Sequence, residues 1–154
     1  MSKTISYKGT LAIGEEERIS LATIQGKVGY TITKFQLIST TPGAGDYEYV
    51  GKITKVKDPN IGATINFTDA DLLGVVYYKG KLSANEPAST DTIIFDNEKF
   101  NQDIFVNITD AGGGTIACNY YIELQTMDLS ELETTMLTLK NLRTVTSRWV
   151  NNIL

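Results

Sequence analysis

The chain has 154 residues and a formal net charge of −4, with a sequence pI near 4.8. That length fits one domain able to bury roughly two-thirds of its unfolded surface, so the fold needs no covalent staple. The single cysteine, Cys118, excludes an intrachain disulfide and a Cys-rich zinc centre, and no basic run interleaves with aromatics as a nucleic-acid surface requires.

Polar residues open the chain, with no apolar signal core and no long apolar run, so neither secretion nor a membrane span is expected. Ile5-Ser6-Tyr7 and Leu11-Ala12-Ile13 read as short strands before a turn at Gly14. After Glu15-Glu16-Glu17, residues Arg18 to Ile24 read as another. From Val28 the apolar residues alternate as Val28, Tyr30 and Ile32, then resume at Phe35 and Leu37 on the opposite parity. A one-residue slip of this kind is what a β-bulge produces, and it is expected near Thr33-Lys34. Thr41 to Asp46 is a Pro/Gly loop.

Tyr47 to Lys57, Ala63 to Phe67 and Leu72 to Lys79 are expected strands, with Thr68 to Asp71 as one capped turn between the last two. Leu82 to Thr90, with Pro87, reads as loop. Thr92 to Phe95 and Asp103 to Ile108 are further strands, and Gly112-Gly113-Gly114 connects the latter to the next. The strongest strand follows. Ile116, Cys118, Tyr120, Ile122 and Leu124 alternate with Ala117, Asn119, Tyr121, Glu123 and Gln125.

The period then changes. Leu132, Met136, Leu139, Leu142, Val145 and Trp149 recur at spacings of three and four, which is one helical stripe. Asp128 before Glu131 and Ser130 before Glu133 each fit a capping box. Acidic residues lead and Lys140, Arg143 and Arg148 trail, as the helix dipole favours. The expected organisation is a mainly β chain: an antiparallel β-sandwich, jelly-roll-like, over residues 1–127, then an amphipathic helix and tail over 128–154. That helix packs on its own domain or on a neighbouring subunit. Short strands with one long helix do not fit an α/β fold.

Chemistry finds little to work with. The chain has no histidine, which removes the commonest general base and imidazole metal ligands. Cys118 shares the inward face of its strand and reads as a structural thiol. Asp69 and Asp71, near Asp58 and Asn60, have weak calcium-ligand spacing and fit turns and caps better. The triglycine lacks the Lys-Ser/Thr of a phosphate loop. No catalytic, cofactor or metal residue is expected; a carboxylate hydrolase is the weakest reading. Tyr47, Tyr49, Tyr77 and Tyr78 are the tyrosines expected to face outward, and they carry the alternative of a carbohydrate- or receptor-binding module. The helical stripe, with apolar Leu137, Val150, Ile153 and Leu154 besides, exceeds what one small sheet needs. Leu132, Met136, Leu139, Leu142, Val145 and Trp149 are therefore the expected interface.

Asn119-Tyr120-Tyr121-Ile122-Glu123-Leu124, continuing through Asp128-Leu129-Ser130-Glu131-Leu132-Glu133 into Leu139-Lys140-Asn141-Leu142-Arg143, resembles the ending of small virion structural proteins of tailed bacteriophages. Gly26 to Tyr30 and Lys34 to Leu37 resemble them too. The resemblance implies a capsid decoration or cement protein, or a minor head or tail protein, made in the host bacterial cytoplasm and carried in the virion. It implies other virion proteins as partners, the major capsid protein foremost, and brings no active-site residues. A homo-oligomer is expected, with a trimer as first choice, and neither nucleic acid nor membrane as partner.

Overall fold

The computed structural model describes residues 2–23, 25–80, 89–95, 98–140 and 142. Among the described residues eight strands form: β1 (Lys3–Leu11), β2 (Glu16–Ile19), β3 (Val28–Ser39), β4 (Tyr47–Thr54), β5 (Leu72–Gly80), β6 (Ser89–Ile94), β7 (Ile104–Asp110) and β8 (Cys118–Asp128). They make two antiparallel sheets, one of three strands ordered β1-β8-β3 and one of five ordered β2-β7-β4-β5-β6. Residues 131–140 form helix α1, and Leu142 is helical beyond it.

The alternating residues of β8 explain its central place. Cys118, Tyr120, Ile122 and Leu124 are all buried, while Asn119, Tyr121 and Glu123 are half-buried on the other face. The bulge in β3 lies where the parity slips: Ile32 pairs with Leu124 and Lys34 with Glu123, leaving Thr33 unopposed. The extra residue turns Phe35 and Leu37 back to the face that already carries Tyr30 and Ile32. These meet Tyr49, Ile53, Val76, Ile104, Val106 and Ile108 of the larger sheet in one core. The arrangement is sandwich-like, with two inner faces sharing one interior. Gly51 lets the sheets close: a Cβ there would lie 3.0 Å from Leu37, Phe35 and Val76.

A jelly roll is a long ribbon rolled up so that first and last strands pair, then second and seventh, third and sixth, fourth and fifth. β1–β8, β2–β7 and β4–β5 are paired in this way. The remaining pair is not a ladder. β6 bonds to β5 instead, and a hydrogen bond from Thr92 Oγ1 to the Phe35 carbonyl at 3.4 Å links it to β3.

Several expected elements move. Leu11 ends β1, and Ala12 and Ile13 lie outside any strand. The segment expected from Arg18 to Ile24 pairs only as Glu16–Ile19, and β4 stops at Thr54. Ala63 to Phe67 is not a strand. It belongs to the 55–71 segment, which crosses the outer face of the larger sheet. Buried Lys52 donates from Nζ to the carbonyls of Gly62 at 2.8 Å and Thr64 at 2.5 Å. Those bonds occupy donors that burial would otherwise leave costly. Burial lowers the Lys52 pKa, and the charges of Asp58 and Asp69 oppose that shift. Most of the Leu82 to Thr90 loop lies outside the described residues, and Ser89 and Thr90 belong to β6.

Candidate assembly interface

β8 runs through Asp128, one residue past the boundary expected for the β-domain. The Leu129 amide donates to the Lys27 carbonyl at 2.8 Å, and its side chain lies against Gly29, where a Cβ would come within 2.6 Å. That close packing fixes where the helix departs. Of the two capping boxes the sequence allows, the structure forms the second. The Glu133 amide donates to Ser130 Oγ at 3.2 Å, and Glu133 Oε1 accepts from the Ser130 amide at 3.4 Å.

The helix then sits with its apolar stripe turned away from its own domain. Leu132 is 70% exposed, Met136 60%, and Leu139 and Leu142 56% each. The domain-facing residues are Glu133, Thr134, Leu137 and Thr138, all half-buried. Their contacts are mostly polar. Lys99 Nζ donates to Glu133 Oε2 at 3.1 Å. Lys140 Nζ donates to Glu98 Oε1 at 2.9 Å, and Lys55 makes an ion pair with the same oxygen. Asn101 Nδ2 reaches Thr138 Oγ1 at 3.4 Å and the Gly26 carbonyl at 3.0 Å. Among the described residues, Thr134 Oγ1 is buried without a hydrogen-bond partner. Leu137 borders a crevice of about 20 Å³ with Phe100 and Ile104. So the helix is clipped to the domain by charge, and its seam is not packed like a core.

Four of the six expected interface residues are thus brought together on one exposed face. Val145 and Trp149 lie outside the described residues. Nothing in the hydropathy distinguishes an outward stripe from an inward one. The signal that could have done so is the opposite side, where Thr134 and Thr138 follow Glu133 and match the polar residues Lys99 and Asn101.

No protein-family model and no curated protein matches this chain.

The other candidate groups are structural. Cys118 is 0% exposed, and burial pushes its thiol up to about 12 despite a hydrogen bond that opposes the shift. Tyr47 and Tyr49, expected to face outward, are buried and stacked with their ring centroids 4.9 Å apart. They lie on the same face of β4 as Ile53, the face that meets the smaller sheet in the shared core. Tyr77 and Tyr78 are half-buried. Asp69 Oδ1 accepts from the Asp71 amide at 3.0 Å, a turn bond, and the Gly112 amide donates to Asp110 Oδ1 at 2.9 Å, in a turn that is no hairpin, because β7 and β8 lie in different sheets.

Glu98 ties the helix clip to pH. Burial raises its carboxyl pKa, but the hydrogen bonds and charges of Lys55 and Lys140 outweigh this and hold it below the usual carboxylate range. A depressed folded pKa contributes stability that is present above the unfolded value and lost as pH falls through the folded one. Glu98→Gln is expected to cost about 1 kcal/mol at neutral pH, with the pair partly solvated. The gap to wild type should close as the solution is acidified through the carboxyl range. Urea midpoints of both proteins against pH would show it; a gap that persists in strong acid would contradict the assignment.

Proposed function

We propose that this chain is a non-enzymatic structural protein of a tailed-phage virion, associated with the capsid as a decoration, cement or minor head protein. It works through protein–protein contacts made by the stripe Leu132, Met136, Leu139 and Leu142. The observation that carries this reading is the outward turn of that stripe: four large apolar side chains, each more than half exposed, on a helix whose own domain contacts are polar. Exposed apolar surface of this kind marks a surface that another protein covers. The resemblance of the β8-to-helix segment to virion proteins supplies the setting, with the major capsid protein and further copies of the chain as partners. The reading requires neither a nucleic acid nor a membrane, and among the described residues no helix is long and apolar enough to cross one.

The carbohydrate-module alternative loses two of its four tyrosines with the burial of Tyr47 and Tyr49, since a sugar platform needs open ring faces. Quantitative mass spectrometry of gradient-purified particles from a tailed phage that encodes the chain tests the reading. The expected result is the chain at a fixed copy number matching a symmetry of the particle. Particles that lack it would overturn the proposal.

A further inference from the structure

We infer that the occupant of the exposed helix face is the same helix of a second copy, docked antiparallel about a two-fold axis. This rests on the reading of the stripe as an assembly surface and names its partner.

Three observations point to it. The first is self-complementarity. A two-fold interface presents the same patch from both sides. The stripe Leu132, Met136, Leu139 and Leu142 is nearly symmetric about the gap between Met136 and Leu139. An axis there sets Met136 against the partner's Leu139 and Leu132 against the partner's Leu142.

The second is charge. Glu131 stands exposed at the start of the helix, and the sequence continues after Leu142 with Arg143 and Arg148, while Glu133 and Lys140 are already paired with Lys99 and Glu98 of their own domain. An antiparallel pair brings each Glu131 toward the other's basic end and opposes the two helix dipoles favourably. A parallel pair, or a three-fold bundle of parallel helices, puts Glu131 beside its own copy. The charge order therefore favours a dimer over the trimer expected from sequence.

The third is the clip. Lys99, Glu98 and Asn101 hold the polar side of the helix against the domain, so the stripe is presented outward without any rearrangement. The described helical residues, 131–140 and 142, span only about 16 Å, less than a stable dimer's usual patch of about 800 Å² per partner calls for. Self-docking is thus expected to be weak and concentration-dependent, strengthened by the apolar spacing that the sequence carries on to Val145 and Trp149.

Disulfide trapping on the full chain tests the orientation. Cys118 is silent in it, being buried with a thiol pushed up to about 12. Leu132→Cys and Leu142→Cys are made separately and oxidised alone and as an equimolar mixture, with light scattering of the wild type from low-micromolar to millimolar concentration. The expected result is a mass that rises to twice that of one chain, and a crosslink that forms at least tenfold more in the mixture than in either variant alone. Efficient crosslinking of Leu132→Cys with itself would overturn the antiparallel arrangement. A wild type that stays monomeric throughout, with no crosslink in the mixture, would overturn self-docking altogether. If such a monomer is still found in particles, the structural-protein reading survives while this inference fails; if it is absent from them, both fail.

Discussion

Replacing Leu139 and Leu142 together with glutamate is expected to remove the chain from its particle without unfolding it. Burying a leucine against a partner contributes about 2 kcal/mol, so losing two removes about 4 kcal/mol, roughly a thousandfold in affinity. A glutamate pressed into an apolar seam adds a desolvation cost to that. Within the monomer the same changes cost little. Both side chains are more than half exposed, and surface substitutions of this kind usually stay within about 0.5 kcal/mol. Far-ultraviolet circular dichroism and the thermal midpoint should match wild type while particle incorporation is lost. Normal incorporation of the folded double variant would show that the stripe is not the assembly surface.

Tyr49→Ala is expected to be the most damaging single change in the β-domain, at about 3–5 kcal/mol. Tyr49 is 0% exposed, and its ring stacks with those of Tyr47 and Tyr78, at centroid distances of 4.9 and 6.4 Å. Its hydroxyl lies 3.1 Å from both Ser39 Oγ and the Ile116 carbonyl. The residue sits on β4 in the larger sheet, while Ser39 ends β3 in the smaller, so the phenol spans the two layers. Tyr120 makes a matching bridge from the other side, from β8 to Glu17 Oε2 of β2 at 2.8 Å. Tyr49→Phe keeps the stacking and should cost only about 1 kcal/mol. Chemical denaturation of the three proteins gives both differences. A Phe variant as unstable as the Ala variant would place the main contribution in the hydroxyl rather than in the buried ring.

Much of this architecture was legible residue by residue. Five alternations from Ile116 to Leu124 located β8 and its buried face, because a strand has a period of two and a core admits only one of its faces. The parity slip after Ile32 located the bulge for the same reason. The change of period at Leu129, with acidic residues leading and Lys140 trailing, located the helix. These signals are local, carried by neighbours in the chain, and tertiary packing reinforced them.

What lay outside the reach of the sequence depends on surfaces that meet from far apart in the chain. Lys52 looks like any of the scattered lysines, yet it is buried because the 55–71 segment folds back over β4 and offers it two carbonyls. Ala63 to Phe67 has the composition of a strand, but its backbone serves that lysine and joins no ladder. Tyr47 and Tyr49 have the amphipathic chemistry of a binding platform, and only the closing of the two sheets decides that they face inward.

The helix marks the division most clearly. Its sequence by itself determined which residues form its apolar stripe and how its charges are ordered, and narrowed its start to two capping boxes, because 3.6-residue periodicity and dipole preference act within one element. Which way the stripe points was decided only in the tertiary structure. Lys99, Asn101 and the Glu98 carboxylate lie more than thirty residues earlier in the chain and meet the polar side of the helix only when the domain has folded. Pairing those charges and amides fixes the rotation of the helix about its own axis, and the apolar face is left to a partner.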